Sequence, residues 1–424
     1  MKFRPALFSF ILLLSLTSWT VARQTGAKLF PYDYKIDDLP NGLRLITVPT
    51  EYPDLVALYI VVQAGSRNEV EPGKTGFAHL FEHLMFRGST NYTSDQRDAI
   101  LKIAGAETNA NTSNDRTVYF ETFSKDDLDP VMKLEADRFQ HLQYDESTFK
   151  TEALAVLGEY NKNSADPSSR LSEALSATAF KKHTYSHTTM GFRSDIENMP
   201  NQYAYSLEFY KRFYRPEYVT ILMVGDVTPA RALDLTRKYF GDWKRGDYMP
   251  DIPREPQQTE TRSVKVDWPS PTLTTVVVAF HAPAYSDENK DKAALDLLGP
   301  LAFGQTSDLY NKLVRVEQKV DRIGQNYGNS MDPGLFQVTA AVKDPKDTDY
   351  VRTQILETFA RFSDETMSQS QLDETRSRRR YGMALQLNSS SAIASALAPY
   401  IALRRTPETL NKLFALYQQI TPQD

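Results

Sequence analysis

The chain of 424 residues contains no cysteine and only six histidines. Without cysteine there are no disulfides, no thiolate ligands for a metal ion and no lipid attachment through a thiol. Any metal ion must therefore be bound by histidine nitrogens and carboxylate oxygens.

Long apolar runs are also missing after the first 22 residues, so no later segment is long enough to span a membrane. Lys2 and Arg4 precede the apolar run LFSFILLLSL, which gives way to TSWTVA. This pattern is typical of a secretory signal peptide over residues 1–22, with cleavage after Ala22. We predict an exported protein with no stable membrane span after cleavage. The absence of disulfides favours the bacterial periplasm.

The chain has no excess of positive charge, because 49 Lys and Arg against 54 Asp and Glu give a formal net charge of -5. Nucleic-acid-binding domains usually carry a strongly basic surface, so nucleic acid is not expected as a partner. With 41% hydrophobic residues, a chain of this length can form two domains, each with its own core.

The order of predicted elements divides the chain into two similar halves. Residues 26–243 begin with the strands GLRLITVPT and LVALYIVVQAGS and end with the strand VTILMVGDV and a helix. Residues 244–260 contain three prolines and few apolar residues and are predicted to form a linker. Residues 261–424 repeat the order, with strands predicted near SVKVDW, LTTVVVAFHAPA, DRIGQNYG and LFQVTAAV. We predict an α+β fold of two homologous domains around a shared cleft.

The halves differ at their ends. The first half closes with a strand followed by a helix, whereas the second stops at LFALYQQITPQD without such a pair. The C-terminal domain is therefore either shorter than the first domain or truncated in this sequence.

Two of the six histidines lie in the stretch HLFEH, residues 79–83. On a helix, His79 and His83 are one turn apart and project from one face, which allows both imidazoles to bind one metal ion. Glu82 lies beside them and can accept a proton from a water molecule that the metal has acidified. The alternative is an ordinary helix with histidines on its polar face. The pattern favours a metal site that hydrolyses amides.

A catalytic zinc ion normally has three protein ligands and one open position. Glu152 and Glu159, in the predicted helix TEALAVLGEY, are seven residues apart and share a face. One carboxylate can bind the metal while the other orients a ligand or the proton network, and the spacing leaves open which does which. Two glutamates on a helix are otherwise often a solvent-exposed face.

A second pair of histidines, His183 and His187, has the same spacing but no glutamate between them. The intervening Thr-Tyr-Ser favours a loop over a helix. We predict structural hydrogen-bonding roles for both residues.

HLFEH followed by E-x6-E resembles the inverted zinc motif of the pitrilysin/insulinase peptidases, the inverzincins, which include the mitochondrial processing peptidases. Other segments that resemble this family are GFAHLFEHLMFRGSTN, TNANTSNDRTVYFET, HTYSHTTMGFRSDIENMP and FYKRFYRPEYVTILMVGDV. The resemblance covers nearly all of the chain after the signal. It implies two homologous α+β domains, each a mixed or antiparallel sheet with helices on one face, that form half of a clam-like chamber.

The resemblance also implies roles for individual residues. His79, His83 and Glu159 would bind one Zn2+ per chain, Glu82 would be the general base, and Glu152 the supporting catalytic carboxylate. A peptide substrate would add a strand to an exposed sheet edge at residues 108–112, with Asn109, Ala110 and Asn111 as the substrate-binding residues. The alternative for these three residues is a turn-promoting sequence before a hairpin.

The second half departs from the family pattern. Many active members, or their partner subunits, carry an arginine and a tyrosine there that bind the substrate carbonyl. Here Val314 and Arg322 fall at the corresponding positions, Arg315 is one place off, and KLVRVEQKVDRIG contains no tyrosine.

The sequence therefore predicts a zinc endopeptidase that hydrolyses peptides or unfolded segments in an enclosed chamber. Its partners would be the peptide and a second subunit. That subunit is either a second copy or a metal-free homologue that supplies the arginine and tyrosine. The alternative is a non-cleaving structural or peptide-binding subunit of the same fold.

Overall fold

The computed structural model of the protein describes residues 28–424, so the predicted signal peptide lies outside the described residues. Its first half contains strands β1 (Lys35–Asp38), β2 (Arg44–Pro49), β3 (Leu55–Val62), β4 (Glu107–Thr112), β5 (Thr117–Ser124) and β6 (Val219–Gly225). The helices of this half are α1 (Phe77–Leu84), α2 (Ser94–Ile103), α3 (Leu128–His141), α4 (Glu146–Asn163), α5 (Pro167–Ala179), α6 (Arg193–Asn198), α7 (Tyr203–Phe213) and α8 (Pro229–Phe240).

The second half contains strands β7 (Thr274–Ala282), β8 (Val320–Asn326) and β9 (Gly334–Val342). Its helices are α9 (Lys290–Phe303), α10 (Asp308–Tyr310), α11 (Thr348–Asp364), α12 (Gln369–Gln386), α13 (Ser390–Arg404) and α14 (Glu408–Gln419), and α10 continues as a π-helical turn over Asn311–Val316. The predicted α+β class is confirmed.

The first sheet has six strands in the order β1-β2-β6-β3-β5-β4. Strands β2 and β6 are parallel and the other neighbours are antiparallel, so the sheet is mixed. Within the part of the chain that the structure describes, β4 pairs with β5 alone and forms one edge of the sheet. The second sheet has the order β7-β9-β8, which repeats the order β3-β5-β4 of the first half.

Both faces of the first sheet are buried. Leu58 and Ile60 of β3 face the helices of the first half, whereas Tyr59 and Val61 face the opposite way, because side chains alternate along a strand. Leu397 of α13 packs on this second face, together with residues of α14. The helices of the first half thus occupy one face, and the second half covers the other. Each large apolar side chain buried this way stabilises the fold by roughly 1.5–3 kcal/mol.

One sequence prediction in the second half is wrong. Residues 263–268, SVKVDW, were expected to form a strand, but residues 251–273 contain no strand. Val264 of this segment is 50% exposed. Alternation of apolar residues is not sufficient for a strand, because a strand also requires a neighbour that satisfies its backbone hydrogen bonds.

The segment predicted as a linker, residues 244–260, is irregular but anchored to the first half. The carboxylate of Glu255 accepts hydrogen bonds from the backbone N–H groups of Lys181, Lys182 and His183 at 2.8 to 3.0 Å. Shortly beyond, Arg262 donates to the carbonyl oxygen of Ala179 at 2.8 Å. These bonds hold the connection between the halves against the C-terminal end of α5.

The end of α13 is tied to the first sheet by one side chain. The guanidinium of Arg405 donates to the carbonyl oxygens of Gly42 and Val219 at 2.9 and 2.7 Å and to Thr220 Oγ1 at 3.0 Å. These contacts fix the second half relative to the sheet that carries the candidate site. Among residues 28–424, no helix combines the length and apolar composition needed to cross a lipid bilayer.

Candidate metal centre

Helix α1 presents two histidines on the side that faces away from its apolar contacts. Its four large apolar residues, Phe77, Leu80, Phe81 and Leu84, are buried in the core of the first half. Their spacing of three and four residues leaves His79 and His83 together on another face. The two imidazole rings are 4.9 Å apart and nearly perpendicular.

Helix α4 brings two carboxylates to the same place. The helix begins after Asp145, whose side chain accepts a hydrogen bond from the backbone N–H of Thr148 at 2.7 Å. Phe149, Ala153, Val156 and Tyr160 are buried against the core. Because α1 packs against α4, the side chains of Glu152 and Glu159 meet the histidines.

His79, His83 and Glu159 converge as predicted. His79 Nε2 and His83 Nε2 each lie 3.6 Å from Glu159 Oε2. In a tetrahedral zinc site with bonds of about 2.1 Å, ligand atoms are about 3.4 Å apart. The three ligand atoms all lie within 4.8 Å of one another, and these side chains form the one such group of histidine and acidic residues within the described part of the chain. The donor set therefore fits zinc in size and in chemistry.

The surroundings shift the pKa values of the two histidines in opposite directions. Burial lowers the pKa of His79, and the nearby His83 acts in the same direction, which favours the neutral imidazole that a metal ion binds. The interaction with Glu152 raises the pKa of His83. His83 Nδ1 lies 3.7 Å from Glu152 Oε2, so this carboxylate faces the nitrogen of His83 that points away from Glu159.

Glu152 is held by Arg87, which the sequence analysis did not identify. The Arg87 guanidinium contacts the two Glu152 oxygens at 2.7 and 3.1 Å. Burial alone would raise the pKa of Glu152, but its interactions with His83 and Arg87 hold it below its usual range. These interactions favour the ionised form of Glu152 beside His83.

Glu82 is connected to the edge strand. Its Oε2 accepts a hydrogen bond from Thr112 Oγ1 at 2.6 Å, and Thr112 is the last residue of β4. The contact was not predicted, although Thr112 ends the segment proposed for substrate binding. It fixes the Glu82 carboxylate between the histidines of its own helix and the edge of the sheet.

The edge strand β4 contains Asn109, Ala110 and Asn111. Ser113 N–H donates to Arg116 O at 2.8 Å and closes the hairpin with β5. Because antiparallel strands alternate between groups facing the partner and groups facing away, the N–H of Ala110 points to the open side. Asn109 Oδ1 accepts this N–H at 2.8 Å. The side chains of Asn109 and Asn111 are exposed, and that of Ala110 is buried.

The other pair of histidines, His183 and His187, forms hydrogen bonds with residues outside this centre. His183 Nε2 is 3.0 Å from Asp332 Oδ2, and its Nδ1 accepts the backbone N–H of Tyr185 at 3.0 Å. His187 Nδ1 is 3.0 Å from the carbonyl oxygen of Thr188. In the second half, Arg322 contacts Asp321 and Arg315 lies over the ring of Tyr310.

Two protein-family models match the chain. A family model described as insulinase (peptidase family M16) matches residues 44–192, which contain every residue of the metal centre. A second model, described as peptidase M16 inactive domain, matches residues 202–379. The chain belongs to peptidase family M16. The resemblance inferred from HLFEH and E-x6-E is confirmed.

Several proteases resemble most of the chain. The zinc protease PqqE of Helicobacter pylori is 29% identical over 370 residues, which are 86% of this chain and 82% of that protein. A crystal structure of a protease from Helicobacter pylori is similar with a TM-score of 0.85 and 27% identity, covering 92% of this chain and 94% of that one. The periplasmic protease PqqL of Escherichia coli shares the fold with a TM-score of 0.72 at 19% identity, and the match covers 93% of this chain but 46% of that protein. The two-domain architecture of an M16 peptidase half is thereby confirmed.

Proposed function

We propose that the protein is a zinc-dependent endopeptidase that hydrolyses peptides or unfolded segments held in an enclosed chamber. The approach of His79, His83 and Glu159 to ligand distances, with Glu82 near enough to interact electrostatically with both histidines, carries this proposal. One Zn2+ per chain is the expected content, because the structure brings one such donor set together in the described residues. The similarity to a zinc protease of comparable length also supports a zinc-dependent peptidase.

The residues of the centre divide the chemistry between them. Zinc supplies Lewis acidity, which lowers the pKa of a water molecule and polarises a carbonyl group. Glu82 accepts the proton of the attacking water and then transfers it to the departing amine nitrogen as the C–N bond breaks. Thr112 holds the Glu82 carboxylate in place for both transfers. Glu152 would orient the ring of His83 through its Nδ1.

The open edge of β4 is the proposed binding site for the peptide backbone. A peptide that pairs with this edge forms main-chain hydrogen bonds that do not depend on its side chains. Thr112 lies on the same strand as Ala110 and contacts Glu82, so the paired peptide passes next to the general base. Asn109 Oδ1 must release the N–H of Ala110 when the peptide binds.

Ala110→Pro is expected to weaken peptide binding without unfolding the protein. Proline removes the N–H that points to the open side, and edge strands tolerate proline where the ladder does not need that donor. Loss of one hydrogen bond of about 0.5–1.5 kcal/mol predicts a KM increase of roughly 2- to 13-fold. Steady-state kinetics on an unfolded peptide and thermal unfolding measure the two effects.

The matched control is Asn111→Pro. The N–H of Asn111 points towards β5, so its removal should lower the thermal stability more than Ala110→Pro does. An unchanged KM in a correctly folded Ala110→Pro variant would count against strand addition at this edge.

A second subunit is proposed to complete the chamber. PqqL contains this fold in 46% of its length, which is consistent with a chamber built from two such units in the larger protein. The second half of the present chain has no tyrosine in the segment where active relatives carry one. A homodimer, or a heterodimer with a metal-free homologue that supplies arginine and tyrosine, is therefore proposed. Export to a bacterial periplasm is proposed from the sequence of residues 1–22 and from the periplasmic location of PqqL.

Metal removal and restoration test the proposed function. The purified protein, alone or mixed with a candidate partner, should hydrolyse an unfolded peptide, lose the activity on treatment with a chelator, and regain it with one equivalent of Zn2+ per chain. Mass spectrometry of the products identifies internal cleavage. Zinc binding without hydrolysis under both conditions would instead support the non-cleaving subunit.

A further inference from the structure

The two histidine ligands differ in what holds their rings. His83 faces Glu152 with its second nitrogen. His79 Nδ1 is buried and, within residues 28–424, has no hydrogen-bond partner. Most metal-binding histidines donate this second N–H to an acceptor that orients the ring. The direction of His79 must therefore be set by the position of the helix turn that carries it.

Glu69 holds that turn. Its Oε2 accepts the backbone N–H of Gly76 at 2.8 Å, and its Oε1 accepts the N–H of Ala78 at 2.7 Å. The N–H groups of the first turn of a helix have no partner within the helix. The side chain of Glu69 is fully buried, so bulk solvent does not compete for these bonds. The two oxygens of this carboxylate thus bind the backbone of the first turn of α1, immediately before His79.

The surroundings of Glu69 leave these N–H groups as its main polar partners. His187 Nδ1 is 3.7 Å from Glu69 Oε2, but burial lowers the pKa of His187, which keeps it neutral. Burial also raises the pKa of Glu69 to about 8, and the backbone N–H groups act against this shift. The two backbone hydrogen bonds favour the ionised carboxylate, which accepts at both oxygens, and burial opposes them.

The chain around the start of α1 has no room to adjust. Gly76 has a φ of 89°, and a Cβ at this position would lie 2.4 Å from Ile196 Cδ1 and 2.9 Å from Met190 O. Thr75 Oγ1 donates to Asp195 Oδ2 at 2.8 Å and accepts the N–H of Phe192 at 2.8 Å. The first turn is therefore held both by Glu69 and by the segment around residue 195.

We propose that Glu69 is a positioning residue of the metal centre, which sets the height and rotation of the first turn of α1 and thereby aims His79 at the metal. The inference rests on the proposed function, because it concerns the same zinc site. Displacements of about 0.5 Å or 10–20° are enough to degrade such a site. In Glu69→Gln, the side-chain NH2 faces one of the two helix N–H groups, so one hydrogen bond is replaced by a contact between two donors.

The test is the zinc affinity of Glu69→Gln and Glu69→Asp, measured by competition with a chelator on the full chain. The control is Thr228→Ala, which removes the side-chain acceptor for the N–H of Arg231 at the start of α8. Thermal unfolding establishes that each variant is folded. The absorption spectrum of the Co2+-loaded protein reports the geometry of the ligands.

Glu69→Gln should weaken zinc binding by about tenfold or more, which is the range for residues that support metal ligands, and should alter the Co2+ spectrum. Glu69→Asp should lie between this variant and the wild type, and Thr228→Ala should bind zinc as the wild type does. Wild-type zinc affinity in folded Glu69→Gln or Glu69→Asp would overturn the inference, as would an equal loss in Thr228→Ala. If Glu69→Gln does not fold, Glu69→Asp decides. No peptide enters these measurements, so a protein that binds zinc but cleaves nothing contradicts the proposed function and not the role of Glu69.

Discussion

Glu82→Gln is expected to reduce peptide hydrolysis by at least about 10²- to 10⁴-fold, the usual contribution of a general base. Glutamine has the same size and its Oε1 still accepts the hydrogen bond from Thr112, so the fold and the zinc content should not change. What glutamine lacks is the ability to accept a proton from water. The measurements are kcat on an unfolded peptide and the zinc content of the purified variant.

Glu208→Gln is the matched control for this variant. Glu208 is an exposed residue of α7, in the same half and with the same change of charge. Its kcat should remain near that of the wild type. Hydrolysis by Glu82→Gln at the wild-type rate would remove Glu82 from the mechanism, even if zinc remained essential.

The local geometry of the centre could be predicted from the sequence because it depends on helix periodicity. A spacing of four places His79 and His83 on one face, and a spacing of seven places Glu152 and Glu159 on one face, in any α-helix. Which glutamate binds the metal depends on the rotation of α4 about its axis and on its distance from α1. Both are set by packing in the core, so the residues alone left the question open. The choice of Glu159 came from the family resemblance.

Contacts between segments that are distant along the chain could not be predicted from the sequence. Arg87 and Thr112 act on Glu152 and Glu82 through tertiary contacts that have no periodic signal. Glu69 gave no signal either, because its partners are backbone N–H groups and its position depends on the path of residues 70–76. The second half illustrates the same limit, since the apolar alternation of residues 263–268 did not reveal that no strand lies beside them.

The two faces of the first sheet connect the second half of the chain to the metal centre. Strand β3 carries apolar residues on both faces, and α13 covers the face opposite to α1. Arg405 joins the end of α13 to the backbone of the same sheet. The second half is therefore part of the scaffold that holds β4 and α1 in register, in addition to any role in forming the chamber.

Glu159→Gln is expected to weaken zinc binding far more than Glu152→Gln. Glu159 Oε2 lies at 3.6 Å from both histidine Nε2 atoms, so its loss removes a charged ligand and leaves two neutral imidazoles. Removal of an outer carboxylate typically weakens metal binding about 10- to 100-fold, so Glu152→Gln should fall in that range and Glu159→Gln beyond it.

Competition with a chelator measures both zinc dissociation constants, and the two variants control each other because they remove the same charge from the same helix. Peptide hydrolysis at saturating zinc adds a second comparison. Glu152→Gln should recover part of its activity when zinc is in excess, since His79, His83 and Glu159 remain, whereas Glu159→Gln should not, since the geometry of the site itself is lost. The reverse order would place the metal closer to Glu152, on the Nδ1 side of His83, and equal zinc affinities would contradict the assignment of Glu159 as the third ligand.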